Sequence, residues 1–153
     1  MNKVQAKKYL DQAFSYAQKF STCRKVYVGA VFVTANGDEV YSCNRTDSPE
    51  KNCQMIGECY KAKVTGIYES CEETRKYCSA VHSEINMIQI LKDNNVNIDG
   101  GTLYVTRYPC HNCARNIVDF GIKNVVYGGR QKIDEEVEEL FKRSNVSVTW
   151  YAD

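Results

Sequence analysis

Two short motifs contain the residues of this sequence whose types and spacing suit metal chemistry. The first is His82-Ser83-Glu84, and the second is Pro109-Cys110-His111-Asn112-Cys113. Together they supply one imidazole, two thiolates and one carboxylate, on segments that both resemble helix starts. An imidazole and two thiolates can hold Zn²⁺ with three ligands and leave a fourth position for water. The sequence therefore predicts a hydrolytic zinc site.

The placement of these residues predicts a division of roles. Cys110 and Cys113 lie in the first turn of a predicted helix, near the positive end of its dipole, which favours thiolates. Glu84 follows His82 by two residues and therefore points elsewhere around its helix. We expect the imidazole and the two sulfurs to bind the metal. We expect Glu84 to carry a proton from the bound water to the substrate as a general acid–base.

Two other interpretations of the motifs remain open. A purely structural zinc site would need a fourth protein ligand, which His111 or another cysteine could supply. The Cys-x-x-Cys pair could also be redox-active, although it does not follow a thioredoxin-like opening. A redox pair would also leave the His82 motif without a role.

The hydrophobic pattern predicts the elements that position these motifs. Helices are predicted over 3–20, 81–91, 110–120 and 134–141, and strands over 27–34, 39–43, 102–107, 124–127 and 146–151. Asn36-Gly37-Asp38 predicts a hairpin turn, and Gly121 predicts the end of a helix. Alternating strands and helices indicate a three-layer α/β domain with helices on both faces of one sheet.

The composition fits one ordinary globular domain, residues 1–153. Apolar residues make up 43% and charged residues 25% of the chain, which is typical of such domains. The net charge of +1 creates no strong field toward nucleic acid or membranes. We see no signal peptide or bilayer-spanning stretch, so the cytoplasm is the expected compartment. There the eight cysteines are expected to bind metal or stay reduced.

A cysteine-rich insertion is predicted at about residues 45–78. The stretch 43–77 is polar, holds four of the eight cysteines and lacks clear periodicity until its end. We expect it to have little regular structure of its own. A loop of this length is expected to be functional, stapled or disordered.

Beyond the metal motifs, the chain resembles the deoxycytidylate (dCMP) deaminases of the zinc-dependent cytidine deaminase superfamily. The likeness covers residues 21–45 and 78–130. It lies in Val28-Gly29-Ala30-Val31-Phe32-Val33, His82-Ser83-Glu84-Ile85-Asn86, Thr102-Leu103-Tyr104-Val105-Thr106 before Pro109-Cys110, and Gly121-Ile122-Lys123-Asn124-Val125-Val126-Tyr127. The resemblance implies a cytidine deaminase-like α/β/α fold with a mixed five-stranded sheet. It also implies hydrolysis of dCMP to dUMP and ammonia. Zinc-bound hydroxide would attack C4 of the cytosine, while Glu84 protonates the ring nitrogen and then the departing amine.

The resemblance also implies substrate contacts. Asn44 would contact the sugar, and the backbone of Ser83 and the carbonyl of Tyr108 would contact the edge of the base. Val28, Asn86 and Arg45 complete the candidate set. Asn86 is equally well explained as an ordinary asparagine in the first turn of a helix, and Arg45 as a solvated surface charge. Other candidate partners for the phosphate are Arg24, Lys25, Arg107 and Arg115.

Several positions depart from the family pattern. Ser42-Cys43-Asn44-Arg45 stands where the family usually has Gly-Tyr-Asn-Gly, which puts feedback by dCTP and dTTP in doubt. Ser83 replaces an alanine, which is a small change if only its backbone is used. Tyr108 and His111 replace a common serine and proline, and we expect them to change the wall of the pocket.

The resemblance extends to a second, structural zinc that several family members carry. Its candidate ligands here are Cys23, Cys53, Cys71 and Cys78, with Cys59 as a competitor. Zinc held by four cysteines would staple an insertion that has too little apolar surface to fold alone. The alternative is a set of unligated, reduced thiols.

Three other functions stay open at this point. A deaminase of a base in RNA, like the tRNA adenosine deaminases, needs a basic surface. The last predicted helix instead carries the acidic residues Asp134, Glu135, Glu136, Glu138 and Glu139. A free-nucleoside deaminase would differ in not requiring the phosphate, and a non-catalytic zinc-stabilised binding module would lack turnover. The resemblance also implies a homo-oligomer, from dimer to hexamer.

Overall fold

The computed structural model describes residues 2–67, 78 and 80–152, which form one sheet and the helices around it. The strands are β1 (Gly29–Val33), β2 (Glu39–Cys43), β3 (Thr102–Val105), β4 (Asn124–Tyr127) and β5 (Ser147–Trp150). The helices are α1 (Lys3–Phe20), α2 (Cys53–Ile56), α3 (Tyr60–Thr65), α4 (Ser83–Asp93), α5 (His111–Phe120) and α6 (Glu135–Arg143), with a 3-10 turn at Pro49–Lys51.

The sheet is mixed and has five strands in the order β2-β1-β3-β4-β5. Strand β1 pairs antiparallel with both β2 and β3, whereas β3, β4 and β5 run parallel. Parallel neighbours need crossover connections, and α5 and α6 provide them. The predicted mixed five-stranded sheet is confirmed.

Each face of the sheet buries its own set of side chains, because successive residues of a strand point to opposite faces. On one face Val31 and Tyr104 pack with Leu10 of α1. On the other face Phe32 and Leu103 belong to the larger core formed with α4, α5 and α6. The expectation of helices on both faces is therefore confirmed.

Gly29 allows α1 to lie directly on β1. A Cβ at this position would stand 1.9 Å from the carbonyl oxygen of Ala13. Any other residue would therefore push α1 away from the sheet. None of the helices in the described part of the chain is both long and apolar enough to cross a lipid bilayer.

The predicted irregularity of the insertion is wrong in part, because α2 and α3 lie within it. Asn52 caps α2 by accepting hydrogen bonds from the N–H groups of Gln54 and Met55. Gly57 and Gly66 end the two helices in the left-handed conformation. Caps rather than hydrophobic periodicity define these short helices, so the pattern missed them. Residues 68–77, which include Cys71, lie outside the described part.

Candidate active site

Two helix starts bring the predicted metal ligands together. His82 is the N-cap of α4, Cys110 is the N-cap of α5, and Cys113 follows in the first turn of α5. Both helices start one residue later than the ligand that opens each motif. Because α4 and α5 pack against each other, their first turns meet and the three side chains converge.

The distances within this group fit zinc. His82 Nδ1 lies 3.3 Å from Cys113 Sγ and 3.6 Å from Cys110 Sγ. The three candidate ligand atoms all lie within 4.8 Å of one another. Zinc bonds of about 2.0–2.1 Å to nitrogen and about 2.3 Å to sulfur give tetrahedral N···S separations of about 3.6 Å. We call His82, Cys110 and Cys113 the catalytic cluster.

The electrostatics of the catalytic cluster also suit a cation. Hydrogen bonds with Cys113 and His82 lower the pKa of the Cys110 thiol, and the hydrogen bond to Cys110 raises the pKa of the His82 imidazole. The pKa of Cys113 is raised, first by its hydrogen bond with Cys110 and then by burial. Two neighbouring thiolates repel each other, so the pair keeps one proton. A divalent cation among these atoms would cancel that repulsion and release the proton.

The alternative fourth ligand, His111, is not a member of this group. Its ring lies beside α6, with Nε2 at 3.8 Å from Glu136 Oε2. Within the described residues the group therefore contains three protein ligands. This is the ligand count of hydrolytic zinc sites rather than of closed structural ones.

Glu84 lies beside the catalytic cluster and is 4% exposed. Burial raises the pKa of its carboxyl group, and a hydrogen bond from Ser83 opposes that rise. The Ser83 hydroxyl donates to Glu84 Oε1 at 2.8 Å. The charge of Glu84 raises the pKa of both His82 and Cys113, so the carboxylate acts electrostatically on the catalytic cluster. A buried carboxyl group next to a metal site can both accept and donate a proton, as a general acid–base must.

Asn86 connects the end of β2 to the segment that precedes His82. Its Nδ2 donates to the carbonyl oxygen of Cys43 at 2.8 Å and to that of Val81 at 3.1 Å. Arg45 and Val81 add an isolated antiparallel bridge at the same place. Both amide hydrogens of Asn86 are thus used within the protein, which favours a positioning role over the predicted substrate contact.

Asn44 is 8% exposed and closes the loop between α1 and β1. Its Oδ1 accepts hydrogen bonds from Ser21 Oγ at 2.8 Å and from the N–H of Val28 at 3.0 Å. Its Nδ2 donates to the carbonyl oxygen of Val26 at 2.9 Å. Among the residues that the structure describes, this leaves one amide hydrogen for the sugar contact predicted from the sequence.

The side chain of Tyr108 points into the protein, where it packs edge-to-face on Tyr127 with ring centroids 5.0 Å apart. Its hydroxyl donates to Glu138 Oε1 at 2.8 Å. Sequence reasoning did not find this contact with α6. The tyrosine at this position thus packs on β4 and is hydrogen-bonded to α6, and its effect on the pocket wall stays a prediction.

Two of the basic candidates for the phosphate have different surroundings. Arg45 is exposed, with Nη2 3.7 Å from Asp47 Oδ1. Arg107 is exposed and follows β3 by two residues, and its charge opposes part of the rise in the pKa of His82 that the hydrogen bond with Cys110 causes.

Four thiols of the insertion and its surroundings form a second, looser group, which we call the insertion cluster: Cys23, Cys53, Cys59 and Cys78. Burial raises the pKa of Cys53 most, and the charges of the other three thiols raise it further. Backbone N–H groups donate to two of the sulfurs, from Lys25 to Cys23 at 3.4 Å and from Tyr60 to Cys53 at 3.3 Å. Within the described residues, the catalytic cluster is the group of three or more ligands that meets the 4.8 Å spacing.

The chain matches the family described as the cytidine and deoxycytidylate deaminase zinc-binding region over residues 3–129. That range contains Glu84 and the whole catalytic cluster. The chain belongs to this family. Its expected fold is confirmed, and zinc is the cofactor that its candidate metal site should take.

The chain is also similar to individual proteins, one of which is named a deoxycytidylate deaminase. The chain is 30% identical to ComE operon protein 2 of Bacillus subtilis over 133 residues, covering 84% of this chain and 61% of that protein. It is 34% identical to the deoxycytidylate deaminase of Mycobacterium phage D29 over 120 residues, covering 78% of this chain and 90% of that protein. The crystal structure of dCMP deaminase from cyanophage S-TIM5 in complex with dCMP and dUMP superposes with a TM-score of 0.70 at 23% identity, covering 98% of both chains. This last similarity shows the shared fold.

Proposed function

We propose that this deaminase hydrolyses dCMP to dUMP and ammonia. The observation that carries the proposal is the catalytic cluster, with a buried carboxylate at its side. The name of the phage D29 relative, deoxycytidylate deaminase, supports dCMP as the substrate.

His82, Cys110 and Cys113 would hold the zinc. When bound, zinc acts as a Lewis acid that lowers the pKa of water. Glu84 takes one proton from the water and transfers it to the ring nitrogen N3. It then takes the proton of the hydroxyl formed at C4 and passes it to the departing amine, which leaves the C4 carbonyl. The burial of Glu84 keeps bulk water from competing for these protons.

Backbone and loop groups would orient the base and the sugar. His82 does not cap α4 through its side chain, so the first N–H groups of α4 are available to the base edge. The carbonyl of Tyr108 and the remaining amide hydrogen of Asn44 supply further polar contacts. The N–H and the carbonyl oxygen of Val28 are both hydrogen-bonded to Asn44. Val28 would therefore contact the substrate through its side chain.

The substitution Glu84→Gln tests the proposed chemistry. We expect the variant to keep its zinc and lose turnover, because the amide cannot carry the proton. The measurement is ammonia release from dCMP, dCTP, deoxycytidine, cytidine and 5-methylated dCMP, with zinc counted per chain. Glu136→Gln, on the exposed side of α6, is the matched control. Equal activity of Glu84→Gln and wild type would refute the assigned role, and activity on every substrate except dCMP would refute the substrate.

Arg107 is the basic residue that we propose contacts the substrate phosphate. Its charge reaches His82, whereas the side chain of Arg45 lies near Asp47. We expect Arg107→Gln to raise the KM for dCMP and leave the KM for deoxycytidine unchanged. Arg45→Gln is the comparison variant. An equal effect of the two variants on dCMP would remove Arg107 from this role.

A deaminase acting on RNA is disfavoured by the charges around the site. Tyr108 and His111 both face carboxylates of α6, on Glu138 and Glu136. These carboxylates would repel a phosphate backbone at that edge. Deamination of a tRNA anticodon stem-loop by the protein would show this argument to be wrong.

We also propose that a second, structural zinc binds in the insertion. The charges of Cys23 and Cys78 each raise the pKa of Cys53, and Cys71 is outside the described residues. The presence of Cys59 in the same group makes it a strong competitor for Cys71. The test is zinc per chain in Cys59→Ser and Cys71→Ser. Two zinc ions in wild type, with one lost in a single variant of the pair, would identify the fourth ligand, and one zinc ion in wild type would remove the site.

We also propose that the protein is cytoplasmic and that it assembles as a homo-oligomer. The thiols of the two clusters are free in the structure, and zinc binding needs them reduced, as they are in a cytoplasm. A homo-oligomer, from dimer to hexamer, is expected for this family member, and sedimentation of the zinc-loaded protein would measure it.

A further inference from the structure

Two buried hydroxyl groups connect the sheet to the carboxylate of Glu84. Ser42 of β2 donates from Oγ to the carbonyl oxygen of Ser83 at 2.7 Å. Ser83 donates from Oγ to Glu84 Oε1 at 2.8 Å. Ser42 is 2% exposed and Ser83 is fully buried, so water does not compete for either contact.

These contacts restrict a side chain that would otherwise be free to turn. The terminal torsion of a glutamate has a broad distribution of angles. Glu84 follows directly after Ser83 on α4, and the hydroxyl of Ser83 holds one of its two carboxylate oxygens. Ser42 in turn donates to the carbonyl oxygen of Ser83. The orientation of Glu84 is therefore fixed by contacts that end on strand β2 and not on a loop.

The restrained carboxylate is buried in the first turn of the helix that His82 caps, and its charge acts on both His82 and Cys113. A proton carrier must lie within hydrogen-bonding distance of the atoms it serves, and small errors in its placement reduce the rate steeply. The orientation of this one side chain therefore bears directly on turnover.

We propose that Ser83 is a positioning residue that holds the carboxylate of Glu84 in the orientation needed for proton transfer, and that Ser42 fixes the peptide of Ser83 for the same purpose. The inference rests on the proposed function, in which Glu84 carries the protons of the deamination. It concerns kcat rather than substrate affinity, since neither hydroxyl is free to reach the substrate.

The experiment compares Ser83→Ala, Ser83→Thr and Ser42→Ala with wild type, each loaded with zinc and assayed on dCMP. We expect Ser83→Ala to lower kcat about tenfold and to leave KM within about twofold, as loss of orientation should. Threonine keeps the hydroxyl and should recover most of kcat. Ser42→Ala should change kcat in the same direction by a smaller factor. Ser147→Ala, on the exposed part of β5, is the control, and melting temperature and zinc content are measured for every variant.

Binding gives a second readout that does not depend on turnover. A deoxyribonucleotide of pyrimidin-2-one lacks the leaving amine, and water can add across its N3–C4 bond. This addition requires Glu84 to transfer a proton to N3. The tight binding of the hydrated analogue therefore depends on the orientation of Glu84. We expect Ser83→Ala to weaken this analogue about tenfold and to leave the affinity for dUMP unchanged.

Unchanged kcat and unchanged analogue affinity in Ser83→Ala would overturn the inference, as would equal losses in the alanine and threonine variants at unchanged melting temperature. If wild type fails to deaminate dCMP, the proposed function is wrong. Crystal structures of wild type and Ser83→Ala then judge Ser83 separately: a rotated Glu84 in the variant supports the positioning, and the same orientation in both refutes it.

Discussion

The catalytic cluster and the insertion cluster both contain cysteine thiols but differ in how their atoms are held. The catalytic ligands open two helices of 11 and 10 residues that pack on the sheet and on each other. The insertion cysteines lie on or next to helices of four and six residues. In the described part of the chain, the 4.8 Å spacing of metal ligands is met at the catalytic cluster.

From this difference we propose that the order of folding and metal binding differs between the two sites. Because α4 and α5 pack against each other, we expect the catalytic ligands to be assembled before a metal binds. Helices of four to six residues are marginal by themselves, so the insertion needs an additional crosslink to hold its thiols together. We therefore expect zinc to add reactivity at the first site and stability at the second.

The sharpest way to break this comparison is to remove one ligand from the catalytic cluster. We expect Cys113→Ala to lose one zinc per chain and to lower kcat/KM at least about 10³-fold, since a metal supplies several kcal/mol of catalysis. The melting temperature should fall little, because the helix starts are held by packing. Cys43→Ala, at a buried thiol outside both clusters, should keep all of its zinc. Unfolding of Cys113→Ala would show that this site, too, depends on its metal.

Removal of a ligand from the insertion cluster should give the opposite result. We expect Cys53→Ser to lose the other zinc, to lower the melting temperature and to speed amide exchange over residues 53–65. The kcat for dCMP should stay within about threefold, because the catalytic ligands lie on other elements. A variant that keeps its melting temperature and its zinc would show that the insertion thiols are unligated.

The difference between the catalytic cluster and the insertion also explains which features could be predicted from the sequence. Residue type and spacing identified the catalytic cluster, because His-x-Glu and Cys-x-x-Cys are local patterns at helix starts. The five strands and the packed helices followed from periodicity. The short helices α2 and α3 did not, since their stability lies in caps such as Asn52. Sequence reasoning also missed the contacts of the Tyr108 side chain. Its partners Tyr127 and Glu138 are 19 and 30 residues away along the chain, so no local pattern predicts them.

The substitution Asn86→Ala tests how much the hydrogen bonds between β2 and the segment before His82 contribute to stability. Asn86→Ala leaves the buried carbonyl of Cys43 and the carbonyl of Val81 without their side-chain donor. We expect a loss of about 1–3 kcal/mol in the free energy of unfolding, measured by urea denaturation, and a smaller loss of kcat than in Cys113→Ala. Gln89→Ala, on the exposed side of the same helix, is the control. No change in stability would mean that the bridge between Arg45 and Val81 suffices without Asn86.

The smallest expected effect concerns the side chain of Tyr108, which joins the catalytic edge to α6. Burial, and then the hydrogen bond to Glu138, raise its pKa above the ordinary value of 10.0. Its contribution to folding is therefore complete below about pH 10 and is lost as the pH rises from there toward the folded pKa, because only the unfolded chain ionises. Tyr108→Phe should lower stability by about 1 kcal/mol at neutral pH and make the melting temperature fall less between pH 9 and about pH 11 than it does in wild type.

Some alkaline loss should remain in Tyr108→Phe, because burial and Glu39 raise the pKa of Tyr41 to about 12. The kcat for dCMP at neutral pH should change less than about twofold, since the hydroxyl of Tyr108 is already used in its hydrogen bond to Glu138. A large loss of kcat at unchanged stability would place that side chain in the pocket wall after all. It would also show that α6 takes part in catalysis. That result would contradict our assignment of α6 to the packing that supports the active site.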